Sequence, residues 1–132
     1  MRAQTIALFG SIFLCLVVVS CSYATSEDGK ETVFYNELLG RNRSNLPRLE
    51  VGMTRADVIS LMGVYHGSKF SNPFQTEALA IGDDRYEILY YLTQTHPGFR
   101  QISIAQATPI VLKDGRLVGW GRSALNYIRP AR

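Results

Sequence analysis

Few side chains in this chain stand where chemistry would need them. His66 lies in a Gly-rich stretch beside Tyr65 and Lys69, a setting in which a general base or a metal ligand is conceivable. No Ser-His-Asp arrangement and no His-x-x-x-His spacing accompanies it. His96 precedes Pro97-Gly98 and reads as a turn residue. Asp83-Asp84 could serve as acid and base or hold Ca²⁺, yet they fall in the turn Gly82–Arg85, where Asp is favoured for backbone reasons alone. The glycines around Trp120 make no phosphate loop, because no helix opening with Lys-Ser/Thr follows them. Bare backbone on both sides of Trp120 instead allows a helix or a partner to come close. Because no nucleophile, base and orienting group can be named together, the chain reads as non-enzymatic, with no cofactor and no metal.

Cys21 is the exception. Arg2 supplies a positive start, and residues 6–19, IALFGSIFLCLVVV, are apolar except for Ser11. A stable membrane span needs about 20 apolar residues; this shorter run reads as a secretory signal. Val18-Val19-Ser20-Cys21 resembles a bacterial lipobox, with an aliphatic residue, a small residue and then the cysteine. That resemblance implies a diacylglycerol on the Cys21 sulfur, cleavage before Cys21, and a lipid anchor in the membrane; two acyl chains already suffice for stable attachment. Ser22, where an Asp would retain the protein in the inner membrane, implies the periplasmic face of the outer membrane. The competing reading is ordinary cleavage after Ala24, since Ser22-Tyr23-Ala24 has the small-x-small form, which would release a periplasmic protein. Residues 1–20 are thus a signal peptide, 21–31 a lipidated polar tether, and 32–132 one domain. Cys15 leaves with the signal, so no thiol chemistry remains.

The 132 residues are 46% hydrophobic and 19% charged, enough for one domain and too few for two. Two cysteines, both near the start, exclude a disulfide framework. A net charge of +3 falls short of a nucleic-acid footprint, and the compartment excludes that partner as well. Phe34, Leu38 and Leu39 suit one face of a helix that Gly40 and the Asn-Arg-Ser cluster end. Thr54 and Asp57 form a capping box for a helix over residues 55–62, which Gly63 closes. Residues 63–75 read as loop. Strands follow at Thr76–Ile81 and Tyr86–Thr93, then a hairpin of Ala107–Leu112 and Arg116–Gly121 around Asp114-Gly115. The tail forms at most a helical turn before Pro130. The expected fold is α+β: two short N-terminal helices packed on one face of a three- to four-stranded antiparallel sheet.

A lipobox followed by Gly52-Met53-Thr54, Val58 and Met62-Gly63 ahead of antiparallel strands resembles the SmpA/OmlA (BamE-like) small outer-membrane lipoproteins. TPIVLKDGRLVGWG, NPFQTEAL and YEILYYLT look closer to an uncharacterised branch of that type. The resemblance spans about residues 46–122. It implies this fold and compartment, and work as an accessory module in outer-membrane assembly or maintenance.

The strand YEILYYLT is apolar on both faces. With helices over one face only, Tyr86, Ile88, Tyr90 and Leu92 would be core. Leu89 and Tyr91 would then need another cover: the tail, the 94–106 loop, a second copy or a partner protein. Leu89 and Tyr91 are therefore the expected contact surface. Arg122 and Arg129 join them, from a C-terminal end in which Arg116 and Arg132 are also basic and which could lie on anionic phospholipid. The function expected is binding of an envelope protein; the alternative is a small-ligand or lipid-binding lipoprotein using the same sheet face. Cys21→Ala should abolish lipidation and leave the precursor uncleaved or cut after Ala24. Mass spectrometry of the N-terminus checks this, and an unmodified Thr25 start in the wild-type chain would sink the lipid anchor.

Overall fold

The structure, a computed structural model, describes residues 27–95 and 101–129. Cys21 and the His96-Pro97-Gly98 turn lie outside them. The chain is α+β. Helix α1 (Glu27–Asn45) is followed by α2 (Arg55–Met62) and the short strands β1 (Tyr65–His66) and β2 (Ser71–Asn72). Then come β3 (Gln75–Ile81), β4 (Asp84–Leu92), β5 (Ala107–Lys113), β6 (Arg116–Trp120) and helix α3 (Gly121–Ile128). The last four strands form one antiparallel meander in the order β3-β4-β5-β6, and β1 and β2 form a separate two-stranded hairpin.

Helix α2 matches its sequence signals at both ends. Thr54 Oγ1 accepts from the Asp57 amide at 3.2 Å, and Asp57 Oδ2 accepts from the Thr54 amide at 3.1 Å. Gly63 ends the helix at φ +80°, where a side chain would be strained. The hairpin turn uses Asp114 and Gly115 at φ 50° and 78°, the mirror-image turn that suits the strands' twist.

Other elements depart from expectation. Helix α1 begins at Glu27, inside the stretch read as tether, and continues through Gly40 to Asn45. A helical glycine costs roughly 1 kcal/mol relative to alanine; here burial of Tyr35, Leu38, Leu39 and Asn42 along one stripe offsets it. Residues 63–75, read as loop, contain the β1–β2 hairpin. The tail, expected to form a helical turn, contributes most of the eight-residue helix α3.

That helix changes the layering. Along β4, Leu89 and Tyr91 share one face with Ile110, Leu112 and Leu117, and there Leu49, Val58 and Met62 cover them. Ile88, Tyr90 and Val111 form the opposite face, against Ala124, Leu125 and Ile128 of α3. The sheet is thus covered on both sides rather than one. Strands β4 and β5 run as nearly unbroken apolar segments for this reason. Helix α1 closes one end, packing Tyr35, Leu38 and Leu39 on Phe70 and Leu92, with the Tyr35 and Phe70 rings edge-on at 5.2 Å.

Helix α2 ends at a partly buried point, and its last turn leaves carbonyls without intrahelical donors. Side chains from three other elements satisfy them. Asn45 Nδ2 donates to Leu61 O at 2.9 Å, Asn72 Nδ2 to Met62 O at 3.4 Å and the Tyr91 hydroxyl to Gly63 O at 3.2 Å. Asn72 in turn accepts from Asn42 Nδ2 at 2.8 Å, and Asn42 Nδ2 also donates to Leu92 O at 2.8 Å. Both amides are at most 1% exposed. Asn42→Leu should leave the Leu92 carbonyl and the Asn72 amide without their donor and acceptor, at about 1–3 kcal/mol for each buried group so stranded. A urea midpoint lowered by an amount in this range is the expected result.

Candidate functional site

The residues that chemistry-minded reading singles out are scattered. His66 is exposed on β1, and Asp83 is exposed in the β3–β4 turn. Asp84 pairs with Lys113 across the sheet at 2.8 Å. No group of three or more His, Cys, Asp or Glu able to hold a metal occurs among the described residues.

What the fold does build is a groove beside α3. It encloses about 390 Å³ between the helix and the sheet and is lined by Asp84, Tyr86, Lys113, Val118, Tyr127 and Ile128. Its position follows from local sequence. Gly119 on β6 presents bare backbone, and a Cβ there would stand 3.1 Å from the Ala124 Cβ. The helix therefore lies close on the sheet at this point, as Gly119 allows. Ala124, Leu125 and Ile128 turn inward and Tyr127 turns outward, 88% exposed. Lys113 Nζ lies 5.9 Å from the centre of the Tyr86 ring, and its hydrogen bond to Asp84 holds its ammonium protonated above the usual lysine range. The groove thus has an apolar floor, a charged pair at one rim and an aromatic ring at the other.

Arg122 stands in the first turn of the same helix and Arg129 just past its end. Arg129 is ion-paired with Glu77 of β3, which also accepts from the Tyr90 hydroxyl at 3.2 Å. The Arg129 hydrogen bond lowers the Glu77 pKa, and burial, with Glu77 beside it, raises that of Tyr90. This cluster ties the end of α3 to the far side of the sheet. Arg122 is exposed, reaches the Ala105 carbonyl at 3.4 Å and lines a smaller cleft of about 220 Å³ with Tyr90, Ile104 and Leu125. Arg116 donates to the Gly52 carbonyl. Three of the arginines at the basic end, Arg116, Arg122 and Arg129, thus make hydrogen bonds within the domain. Tyr127 and Val118 escaped the sequence reading; the i, i+1, i+4 spacing of Ala124, Leu125 and Ile128 was the signal that a helix there would push Tyr127 to the outside.

Among known proteins, the family model described as "Protein of unknown function (DUF3192)" matches residues 17–127. No curated protein and no solved structure matches the chain.

Leu89 and Tyr91, expected to be an exposed contact surface, are each 0% exposed. They lie beneath α2, and the face assigned to the N-terminal helices is the one that α3 covers instead. Tyr91 is a core residue with its hydroxyl on the Gly63 carbonyl, and burial pushes its pKa up to about 12. An unfolded tyrosine loses its proton near pH 10. Between those values the unfolded state binds fewer protons than the folded one, so stability falls as pH rises. Tyr91→Phe should lower stability at pH 7, through the unmet Gly63 carbonyl, and should flatten the decline between pH 10 and 12. Urea unfolding across that range measures both effects.

Proposed function

The chain belongs to the DUF3192 family, and we propose that it is a non-enzymatic, lipid-anchored protein-binding module of the bacterial cell envelope. In this reading Cys21 carries the lipid, and the domain sits at the periplasmic face of the outer membrane. It serves as an accessory in envelope assembly or maintenance, the role its resemblance to the BamE-like lipoproteins suggests. Helix α1 opens at Glu27, five residues beyond Ser22, so the span from Cys21 to the helix is at most about 20 Å of extended chain. The domain would work close against the bilayer.

Tyr127 is the observation that carries the binding role. Both sheet faces are closed by the chain's own helices, so a partner must be met at what remains outside. Tyr127 stands 88% exposed at the rim of the α3 groove, with Val118 43% exposed across from it. A Tyr beside an apolar floor, with charged groups at the edge, is the composition of an interface hot spot. An apolar partner side chain would enter between Tyr127 and Tyr86, and the Asp84–Lys113 pair would set its orientation at the rim. The volume of the groove also falls within the range of small-molecule sites, about 300–1,000 Å³, which supports a second reading as a ligand-binding lipoprotein.

A photo-crosslinking amino acid at position 127, in cells, should give one adduct of protein mass. Tyr127→Ala should weaken recovery of that partner, by about 2 kcal/mol or more if the ring is a hot spot. Folding stability should change by no more than about 0.5 kcal/mol, as at other exposed sites. A small molecule released from the wild-type chain in native mass spectrometry, with no protein adduct at position 127, would replace the first reading by the second.

A further inference from the structure

The two edges of the main sheet are treated differently. The outer edge of β6 is occupied by the chain's own residues 52–55. Gly52 N donates to Leu117 O at 2.7 Å, Leu117 N to Met53 O at 2.8 Å and Arg55 N to Gly115 O at 3.1 Å, and Thr54 bridges Arg116. Among the described residues, nothing covers the outer edge of β3 in this way, and β4 is the only strand that pairs with β3. Natural edge strands are usually protected by shortness, a bulge, proline or lysine. Strand β3, QTEALAI, is seven residues long, keeps an unbroken register with β4, and contains neither proline nor lysine. Ala78, Ala80 and Ile81 are exposed along it.

The occupant that this edge fits is a second copy of itself. Two β3 strands related by a two-fold axis normal to the sheet pair antiparallel, and residues on the same face must oppose each other. The register centred on Ala78, the midpoint of Gln75–Ile81, pairs all seven residues. It sets Ala78 against Ala78, Glu77 against Leu79, Thr76 against Ala80 and Gln75 against Ile81. No like charges meet, and Glu77, the strand's one charge, is already ion-paired with Arg129. Centring on Glu77 would place two carboxylates opposite each other, which is destabilising. Centring on Leu79 would leave Gln75 and Thr76 unpaired.

We propose that the chain forms a two-fold homodimer through β3, joining the two four-stranded sheets into one of eight strands. The self-pairing edge is separate from the α3 groove and does not depend on what that groove binds.

Sedimentation of the full wild-type chain in detergent should give a dimer. The register is tested with Ala78→Cys and, separately, Ala80→Cys, each as the sole thiol in a full chain carrying Cys15→Ser and Cys21→Ser. Opposed residues in an antiparallel ladder have Cα atoms about 4.5–5.5 Å apart, within disulfide reach. The two Ala80 positions would be offset by four residues, more than about 13 Å, beyond it. Mild oxidation should crosslink the Ala78→Cys chain and spare the Ala80→Cys chain. A monomeric wild-type chain would overturn the proposal. So would a dimer in which Ala78→Cys fails to crosslink, or one in which Ala80→Cys crosslinks as readily.

Discussion

Asn42 carries the junction between the helical and the sheet parts of the molecule. Both donors of its amide are used, one on Asn72 and one on the Leu92 carbonyl, and its oxygen accepts from Asn72 in return. Asn72 passes the connection on to the last turn of α2 through Met62 O. Four segments distant in sequence are thus held at one point: α1, α2, the β1–β2 hairpin and the end of β4. A buried amide pair is costly when half satisfied and specific when fully satisfied. Sliding α1 by a turn would break every bond that Asn42 makes at once. Apolar packing of Leu38 and Leu39 alone would tolerate such slippage; the amides do not. Asn45 and Tyr91 extend the same logic to the neighbouring carbonyls of α2.

On the opposite face the constraint is steric. Gly119 lets α3 approach to the contact distance of Ala124, and the Glu77–Arg129 pair fixes the helix's far end across the sheet. Between these two points the helix covers Ile88 and Val111 but stops short of Asp84 and Lys113, so a groove opens beside it. Close approach at one end and a tether at the other account for the groove at whose rim Tyr127 stands.

Much of the local structure was legible in the chain. Thr54, Asp57 and Gly63 mark both ends of α2 because capping is a matter of residues at most nine apart. The Asp114-Gly115 turn and the strands around it follow from similarly short-range rules. Of the glycines beside Trp120, Gly119 marks a close approach, while Gly121 serves a positive φ at the start of α3. The placement of each helix on a face was not legible, since β4 is apolar on both sides and offers no polar row to mark the outside. Assuming a single cover turned Leu89 and Tyr91 outward; the eight-residue helix at the end of the chain was the missing second cover, easily dismissed as a tail because it is short. The Asn42–Asn72 pair lay beyond reach altogether. Nothing in a sequence says that two polar residues thirty apart will satisfy each other, and Asn42 sits in a cluster of Asn, Arg and Ser that reads as a helix end.

The order of elements also bears on how the molecule comes together. From β3 onward each strand pairs with its neighbour in sequence, and α3 folds back on the strands just before it. Such contacts close short loops and form early. Helix α1 is different: its hydrogen bonds reach residues 30 and 50 positions further on. The N-terminus leaves the ribosome first, so the helix is made before anything it packs against. Its stripe of Tyr35, Leu38 and Leu39 stays uncovered until Asn72 and Leu92 have followed, and its docking is expected to be the step that completes folding.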